Sequence, residues 1–339
     1  MSRLRLLVLI LGPLPIIGAS LWVSQRIRPA SKAATVGDNR VFLAEGRSSG
    51  EPNSARITGP GGAPTVAPDF LLEKACQQAA DRLAEQLGPD CHLRIVPPFV
   101  LAGDVSSGEL DVWYRQTIAP AARSMRSAYF DVPPDEPITV LMFRGEAGYN
   151  RYAKHLFGDE GISVYGYYKP RKRTLVMNIG TGGGTLIHEL THALIDFDFP
   201  AVPDWFNEGL ASLHEQCSIR DDRSGIDGLV NWRLPMLQKA IRDHRLRSLE
   251  SLILGDDFRD ARVGLNYAQA RYFCLYLQRK GLLSEYYRRF RAGQARDARG
   301  FATLEGLFPG QSIEAFEADF LDWVLQLAWQ PARARSEAN

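Results

Sequence analysis

The sequence is poor in cysteine and has almost no net charge. Four cysteines in 339 residues are too few for a disulfide scaffold, and without a Cys-x-x-Cys pair a cysteine-based zinc site has no support. The 40 basic and 39 acidic residues give a net charge of +1. This balance lacks the positive excess typical of nucleic-acid-binding proteins, so we expect no nucleic-acid partner. A hydrophobic content of 45% is enough for a folded core.

A long uncharged run stands at the N-terminus. Residues 6–23 carry no charged side chain, and Arg3 and Arg5 precede them. A basic start followed by an apolar run is typical of an export signal, and the run is also just long enough to cross a bilayer once. Residues 1–23 are therefore predicted to be a signal peptide or a single membrane anchor. Either alternative predicts an extracytoplasmic protein, periplasmic or secreted, and in the second case tethered to the membrane.

The remainder of the chain divides by composition. Residues 24–68 are rich in Ser, Gly, Pro and Ala and cannot bury enough apolar area to offset the entropy of ordering, which predicts a flexible linker. The last residues, 331–339, are predicted to be a disordered tail. One folded domain is expected over residues 69–330. The sequence gives no information on its oligomeric state.

Strand and helix patterns within that domain predict an α+β fold. Extended apolar segments occur up to about residue 179, and helical spacing dominates afterwards, near 185–197, 204–217, 229–244, 265–281 and 311–328. The glycine-rich run at 180–184 lacks the Gly-Lys-Ser/Thr ending of a phosphate-binding loop. We interpret it as a tight turn from a strand into a helix.

The most informative segment is the pentapeptide His188-Glu189-Leu190-Thr191-His192. Two histidines four residues apart lie on one face of a helix, so their imidazoles can reach one tetrahedral Zn²⁺ ion. Glu189 lies next to them and can accept a proton from a water molecule at the metal. The alternative is a pair of hydrogen-bonded core histidines. The apolar surroundings favour the metal, because burying three such side chains without a partner is costly.

A catalytic zinc site of this kind needs a third protein ligand. Glu208 and Asp198 are the candidates in the sequence downstream of His192. Ligation by Asp198 would require a sharp turn near Ile195, which a β-branched residue resists. Prolines at 200 and 203 instead permit a reversal into a second helix that can return Glu208 to the metal. Glu208 is therefore the predicted third ligand.

The segments HELTHAL and PDWFNEGLAS resemble the gluzincin metallopeptidases, in particular the peptidase MA-like group of extracytoplasmic proteins related to zinc aminopeptidases. This resemblance implies a zincin-like fold, in which a small mixed sheet and an active-site helix precede a mainly helical part. It also implies His188, His192 and Glu208 as zinc ligands and Glu189 as general base. The strand Thr174–Ile179 would be the edge strand that holds an extended substrate.

The same resemblance assigns an oxyanion-stabilising role to Tyr267, which opens a later helix. The alternative for Tyr267 is a packing role, with its hydroxyl at the rim of the core. No Gly-Ala-Met-Glu-Asn segment is present, and Asn178-Ile179-Gly180 stands near its expected place, so the resemblance does not extend to aminopeptidase specificity.

The predicted function is zinc-dependent hydrolysis of a peptide bond in a peptide or protein substrate. The alternative is a non-catalytic binding or assembly module that keeps the zincin fold. Asp196, four residues after His192, can orient that imidazole or lie on the surface.

The cysteines leave their pairing open. A bridge between Cys76 and Cys91 would need the chain to double back, whereas Cys217 and Cys274 fit core thiols.

Overall fold

The computed structural model describes residues 68–220, 225–260 and 262–330. The predicted signal peptide or anchor, the predicted tail and all but the last residue of the predicted linker lie outside these ranges. Within them, no helix combines the length and the apolar character needed to cross a bilayer.

The described chain is a mixed α/β structure, compatible with the expected α+β class. Its strands are β1 (His92–Val96), β2 (Phe99–Gly103), β3 (Ile138–Phe143), β4 (Gly166–Lys169), β5 (Thr174–Asn178), β6 (Cys217–Ile219) and β7 (Ile226–Gly228). Its helices are α1 (Pro68–Leu87), α2 (Ser107–Trp113), α3 (Ala119–Ala128), α4 (Glu146–Phe157), α5 (Gly184–Asp198), α6 (Asp204–His214), α7 (Leu234–Arg242), α8 (Leu249–Leu254), α9 (Val263–Arg279), α10 (Leu283–Gly293), α11 (Phe301–Glu305) and α12 (Ile313–Gln326).

Five strands form one mixed sheet in the order β1-β2-β3-β5-β4. The pairs β2–β3 and β3–β5 are parallel, whereas β1 and β4 run antiparallel to their neighbours at the two edges. Because side chains alternate along a strand, paired residues present two apolar faces, and both faces are covered by helices. Leu101, Val140 and Leu175 face the cluster that includes α5, and Ala102, Leu141 and Val176 face the cluster that includes α1 and α4.

The predicted position of the edge strand is wrong. Residues Thr174–Asn178 of the predicted segment Thr174–Ile179 form β5, which lies inside the sheet between β3 and β4. The edge is β4, because the basic hairpin loop Pro170–Lys172 folds the preceding segment back against β5 on its outer side. The register pairs Tyr168 with Leu175, so β4 and β5 form a hairpin.

Two other segments differ from the sequence-based expectations. The helix expected over 204–217 ends at His214, and the residues after it form the small antiparallel pair β6–β7. The helix expected over 229–244 begins only at Leu234. Short polar strands such as Cys217–Ile219 carry too little periodicity to be separated from the end of a helix. All four cysteines are free thiols.

Helices α6 and α9 cross closely, and this crossing fixes the position of α6. Gly209 lies at the contact, where an added Cβ would be 3.0 Å from the Ala270 carbonyl oxygen and 3.0 Å from the Cys274 sulfur. A side chain at this position would push the helices apart. Glu208, one residue earlier, therefore depends on Gly209 for its distance from α9.

We predict that Gly209→Val destabilises the fold by about 1–3 kcal/mol, because overpacking a helix crossing forces the backbones apart. The matched control is Gly264→Val on α9, where an added Cβ meets no atom within 4 Å. The control should change stability by about 0.5 kcal/mol or less. Urea unfolding followed by circular dichroism measures both values, and equal losses in the two variants would contradict the role of the crossing.

Candidate metal centre

Helix α5 presents the histidines of the predicted motif to one side. A turn with Gly182 at a φ of 102° leads from β5 into α5, as the glycine-rich run predicted. A positive φ of this size is readily adopted only by glycine. From this start, His188 and His192 lie one turn apart on α5, and their rings meet edge to face with centroids 4.8 Å apart.

Glu208 on α6 completes a group of three donors that can hold one metal ion. The Nε2 atoms of His188 and His192 lie 3.1 Å apart. Glu208 Oε2 lies 3.4 Å from the first of them and 3.5 Å from the second. Three lone-pair donors at nearly equal separations therefore surround one point, and the returning second helix predicted from the prolines supplies the third.

The two carboxylate oxygens of Glu208 have different surroundings. Oε1 accepts a hydrogen bond of 2.7 Å from Nη2 of Arg259. Oε2 is buried and has no hydrogen-bond partner among the described residues. A buried carboxylate oxygen without a partner is unfavourable unless a cation or a proton compensates it. This orphaned atom faces both imidazoles, so the donor set fits a metal ion.

Asn207 orients the second histidine. Its Oδ1 lies 2.8 Å from His192 Nδ1, so the ring donates its Nδ1 hydrogen to the amide oxygen. In that tautomer the Nε2 atom carries the lone pair that a metal requires. Asp196, the partner considered from the sequence, instead accepts a hydrogen bond of 3.1 Å from the Tyr168 hydroxyl.

Burial and neighbouring charges shift the pKa values of the group. Burial disfavours the charged ring of His192, but the Glu208 carboxylate outweighs it and raises the pKa of His192 to about 9. Burial also acts to raise the pKa of Glu208, yet the facing imidazoles and Arg259 hold it well below its usual range. In the absence of a metal, the group therefore binds a proton in its place at neutral pH.

The side chain of Glu189, on α5, lies next to the edge strand β4. Its side chain is buried, and its Oε2 has no hydrogen-bond partner in the part of the chain that the structure describes. Burial raises the pKa of Glu189, and the charges of the histidines and the backbone N–H of Tyr168 oppose that shift. A buried carboxylate of raised pKa beside two imidazoles is well suited to accept a proton.

Tyr267 lies at the same centre, on the first turn of α9. Its hydroxyl accepts a hydrogen bond of 3.0 Å from Arg259 Nη1 and interacts with the Glu208 carboxylate. Burial and the nearby carboxylates raise the pKa of Tyr267 well above its usual value. The hydroxyl thus keeps its proton at neutral pH and can act as a donor.

The structure places Asp198 away from the group. Its carboxylate accepts hydrogen bonds of 2.8 and 2.7 Å from the backbone N–H groups of Asp131 and Val132, and one of 2.8 Å from the Tyr287 hydroxyl. Arg291 forms an ion pair with the same carboxylate. Asp198 therefore anchors the end of α5 to the loop after α3 and to α10.

Sequence reasoning missed two residues of the centre. Asn207 had a signal, because it immediately precedes Glu208 in the Asn-Glu-Gly segment that carries the resemblance. Arg259 had none, because it lies 51 residues after Glu208 in a short acidic turn that resembles any solvated loop.

Comparison with known proteins adds no family assignment. No protein-family model matches the sequence, and a search of curated proteins gives no match. The function is therefore inferred from the geometry of this centre.

A third histidine, His214, lies behind α5 at the end of α6. It is completely buried, and its Nδ1 lies 3.2 Å from the Thr191 hydroxyl oxygen. Thr191 donates its own hydrogen to the Ile187 carbonyl at 2.8 Å, so His214 is the donor in the contact with Thr191. Burial and the positive neighbours lower the pKa of His214 from 6.5 to about 3. His214 is therefore neutral in the folded protein.

We predict that His214 makes the fold sensitive to acid. Below pH 6.5 the unfolded chain binds a proton at this residue, whereas the folded chain stays neutral down to about pH 3. The contribution of His214 to the free energy of unfolding is complete above pH 6.5. Below that pH it falls by up to about 1.4 kcal/mol per pH unit. Urea unfolding at several pH values should show a shallower slope for His214→Gln. The exposed control His92→Gln should keep the wild-type slope, and identical slopes in all three proteins would contradict the assignment.

Proposed function

We propose that the protein is a zinc-dependent hydrolase of peptide bonds with a zincin-like fold. The observation that carries the proposal is the orphaned Glu208 Oε2 facing the Nε2 atoms of His188 and His192, with the buried carboxylate of Glu189 beside them. The helices that supply these groups lie next to a sheet whose edge strand β4 runs antiparallel to its neighbour β5. This arrangement supports the resemblance to gluzincins.

The spacing of the three donors supports zinc as the metal. Tetrahedral zinc with bonds of about 2.0–2.2 Å separates neighbouring ligand atoms by about 3.3–3.6 Å. The donor atoms of the centre lie 3.1, 3.4 and 3.5 Å apart. Two imidazoles and one carboxylate form the ligand set of catalytic zinc sites that keep a fourth position open.

In the proposed reaction, the side chains move protons and stabilise charge. Zn²⁺, when bound, supplies a Lewis acid that acidifies water and polarises a carbonyl group. Glu189 takes a proton from the water while the water oxygen forms a bond to the carbonyl carbon. It then gives that proton to the nitrogen of the breaking C–N bond, which leaves as an amine. The Tyr267 hydroxyl donates a hydrogen bond to the oxyanion that forms between the two steps.

The outer edge of β4 supports an extended peptide as substrate. Asn178 donates its backbone N–H to the Tyr165 carbonyl, so alternate residues starting at Tyr165 pair with β5. Gly166 and Tyr168 therefore turn their backbone groups away from β5, the side on which an extended peptide would add as a further strand. The Tyr168 N–H donates a hydrogen bond to Glu189, so this edge lies beside the proposed base.

The proposed location is extracytoplasmic, and the N-terminal segment serves as the signal or anchor. The alternative function, a binding or assembly module, would require a structural metal or none. Chelation separates the two: loss of zinc with an intact fold favours an open catalytic site, whereas unfolding favours a structural metal.

We predict that Glu189→Gln retains zinc and loses hydrolysis by about 10²–10⁴-fold, because glutamine keeps the shape but cannot accept a proton. Metal content is measured on the purified variant, and hydrolysis is measured with a quenched fluorescent peptide library. Wild-type turnover by this variant would refute the proposed mechanism.

We predict that Tyr267→Phe lowers kcat by about 10²–10³-fold with little change in KM, because a transition-state donor is lost. The matched control is Tyr272→Phe on the same helix, whose hydroxyl hydrogen-bonds the backbone and side chain of Asn231. The control should lower stability and leave kcat unchanged. Equal effects of the two substitutions on kcat would remove Tyr267 from the mechanism.

A further inference from the structure

The guanidinium of Arg259 links three side chains at the rim of the metal centre. Nη2 donates to Glu208 Oε1 at 2.7 Å, and Nη1 donates to the Tyr267 hydroxyl at 3.0 Å. Nε donates to Asp204 Oδ2 at 2.9 Å. One planar group therefore contacts the proposed third ligand and the proposed oxyanion donor at the same time.

We infer that Arg259 is a positioning residue that holds Glu208 as a one-oxygen metal ligand and aims the Tyr267 hydroxyl as a hydrogen-bond donor. This inference rests on the proposed function, which it deepens. Arg259 acts through the other two residues and needs no contact with the substrate.

The effect on Glu208 follows from the different partners of its two carboxylate oxygens. Arg259 occupies Oε1, which leaves Oε2 as the oxygen that faces both histidines. The Glu208 side chain is only 6% exposed, so water does little to hold it in one rotamer. A charge-assisted hydrogen bond to a planar guanidinium supplies that orientation. Partners of this kind determine how well a ligand binds its metal.

The effect on Tyr267 follows from the direction of the hydrogen bond. A guanidinium N–H can only donate, so the phenol oxygen is the acceptor in its contact with Arg259. The hydroxyl hydrogen is then directed away from Arg259, towards the neighbouring Glu208 carboxylate. A phenol fixed in this way is oriented before the oxyanion forms, which is the condition for effective stabilisation of its charge.

The turn that carries Arg259 is well anchored. Phe258 is 3% exposed, and its carbonyl accepts a hydrogen bond of 2.8 Å from the Asn266 side chain on α9. On the other side, Arg247 donates to Asp257 at 2.7 Å. Arg259 thus projects from a segment tied to the same helix as Tyr267, as the support of a rigid site requires.

The surroundings of Arg259 argue against a role in binding an anionic substrate. All three of its nitrogen atoms already have partners, and two carboxylates, Asp204 and Glu208, balance its single charge. The two carboxylates would repel a substrate carboxylate at this position.

The first test measures zinc affinity of the metal-depleted protein by competition with a chromogenic chelator. We expect Arg259→Met to weaken zinc binding by about 10–100-fold, as is typical when a partner of a metal ligand is removed. Arg259→Lys keeps a positive charge near Glu208 and should recover most of that affinity. The control Arg299→Met removes a guanidinium that pairs with Asp256, a residue of the turn that carries Arg259. This variant should bind zinc like the wild type. Wild-type affinity in Arg259→Met would overturn the inference.

The second test measures kcat at saturating zinc, so that weak metal binding no longer contributes. Arg259→Lys should stay slow, because one ammonium lacks the planar fork that reaches both Glu208 and Tyr267. If Arg259 acts through Tyr267, the double variant with Tyr267→Phe should be about as slow as Tyr267→Phe alone. Multiplication of the two single effects would show that Arg259 does not act through Tyr267.

These measurements separate the inference from the proposed function. Melting temperatures of the metal-depleted proteins identify any variant that fails to fold, in which case Arg259→Lys replaces Arg259→Met in the affinity test, with a smaller loss expected. A wild-type protein that binds zinc without hydrolysing any peptide refutes the proposed function. The zinc affinities then decide the role of Arg259 by themselves.

Discussion

The position of one carboxylate, Glu208, determines what this centre can do. Its Oε1 is bound to Arg259, and its Oε2 faces the two imidazoles of α5 without a hydrogen-bond partner among the described residues. A buried oxygen in this state needs a cation or a proton, and the Glu208 carboxylate raises the pKa of His192 despite its burial. The proposed ligand set and the proposed chemistry both depend on this arrangement.

The fold secures that arrangement from several directions. Asp198 fixes the end of α5 by accepting backbone hydrogen bonds from the loop after α3, so the chain reverses at a defined point. Gly209 lets α6 approach α9, which carries Tyr267 close to Glu208. The antiparallel edge strand β4 lies on the other flank of α5, next to Glu189. Small polar and glycine positions therefore determine the spacing of the centre as much as the apolar core does.

Local patterns allowed the grouping of His188, His192 and Glu208 to be predicted from sequence, whereas long-range contacts could not be predicted. His188 and His192 follow from helical periodicity, and the prolines before α6 indicated the reversal that returns Glu208. The order of strands within the sheet was not accessible in this way, and β5 was mistaken for the edge because pairing partners are non-local. Arg259 was missed for the same reason. It is a single charged residue in an acidic turn, and its distance in sequence from Glu208 does not indicate that the two are in contact.

The most direct test of the account is the metal environment of the purified protein, measured by elemental analysis together with zinc X-ray absorption. The account predicts one zinc per chain, surrounded only by nitrogen and oxygen donors at about 2.0–2.2 Å, and its loss from Glu208→Ala. A protein that retains no metal after exposure to zinc, or zinc bound by sulfur at about 2.3 Å, would contradict it.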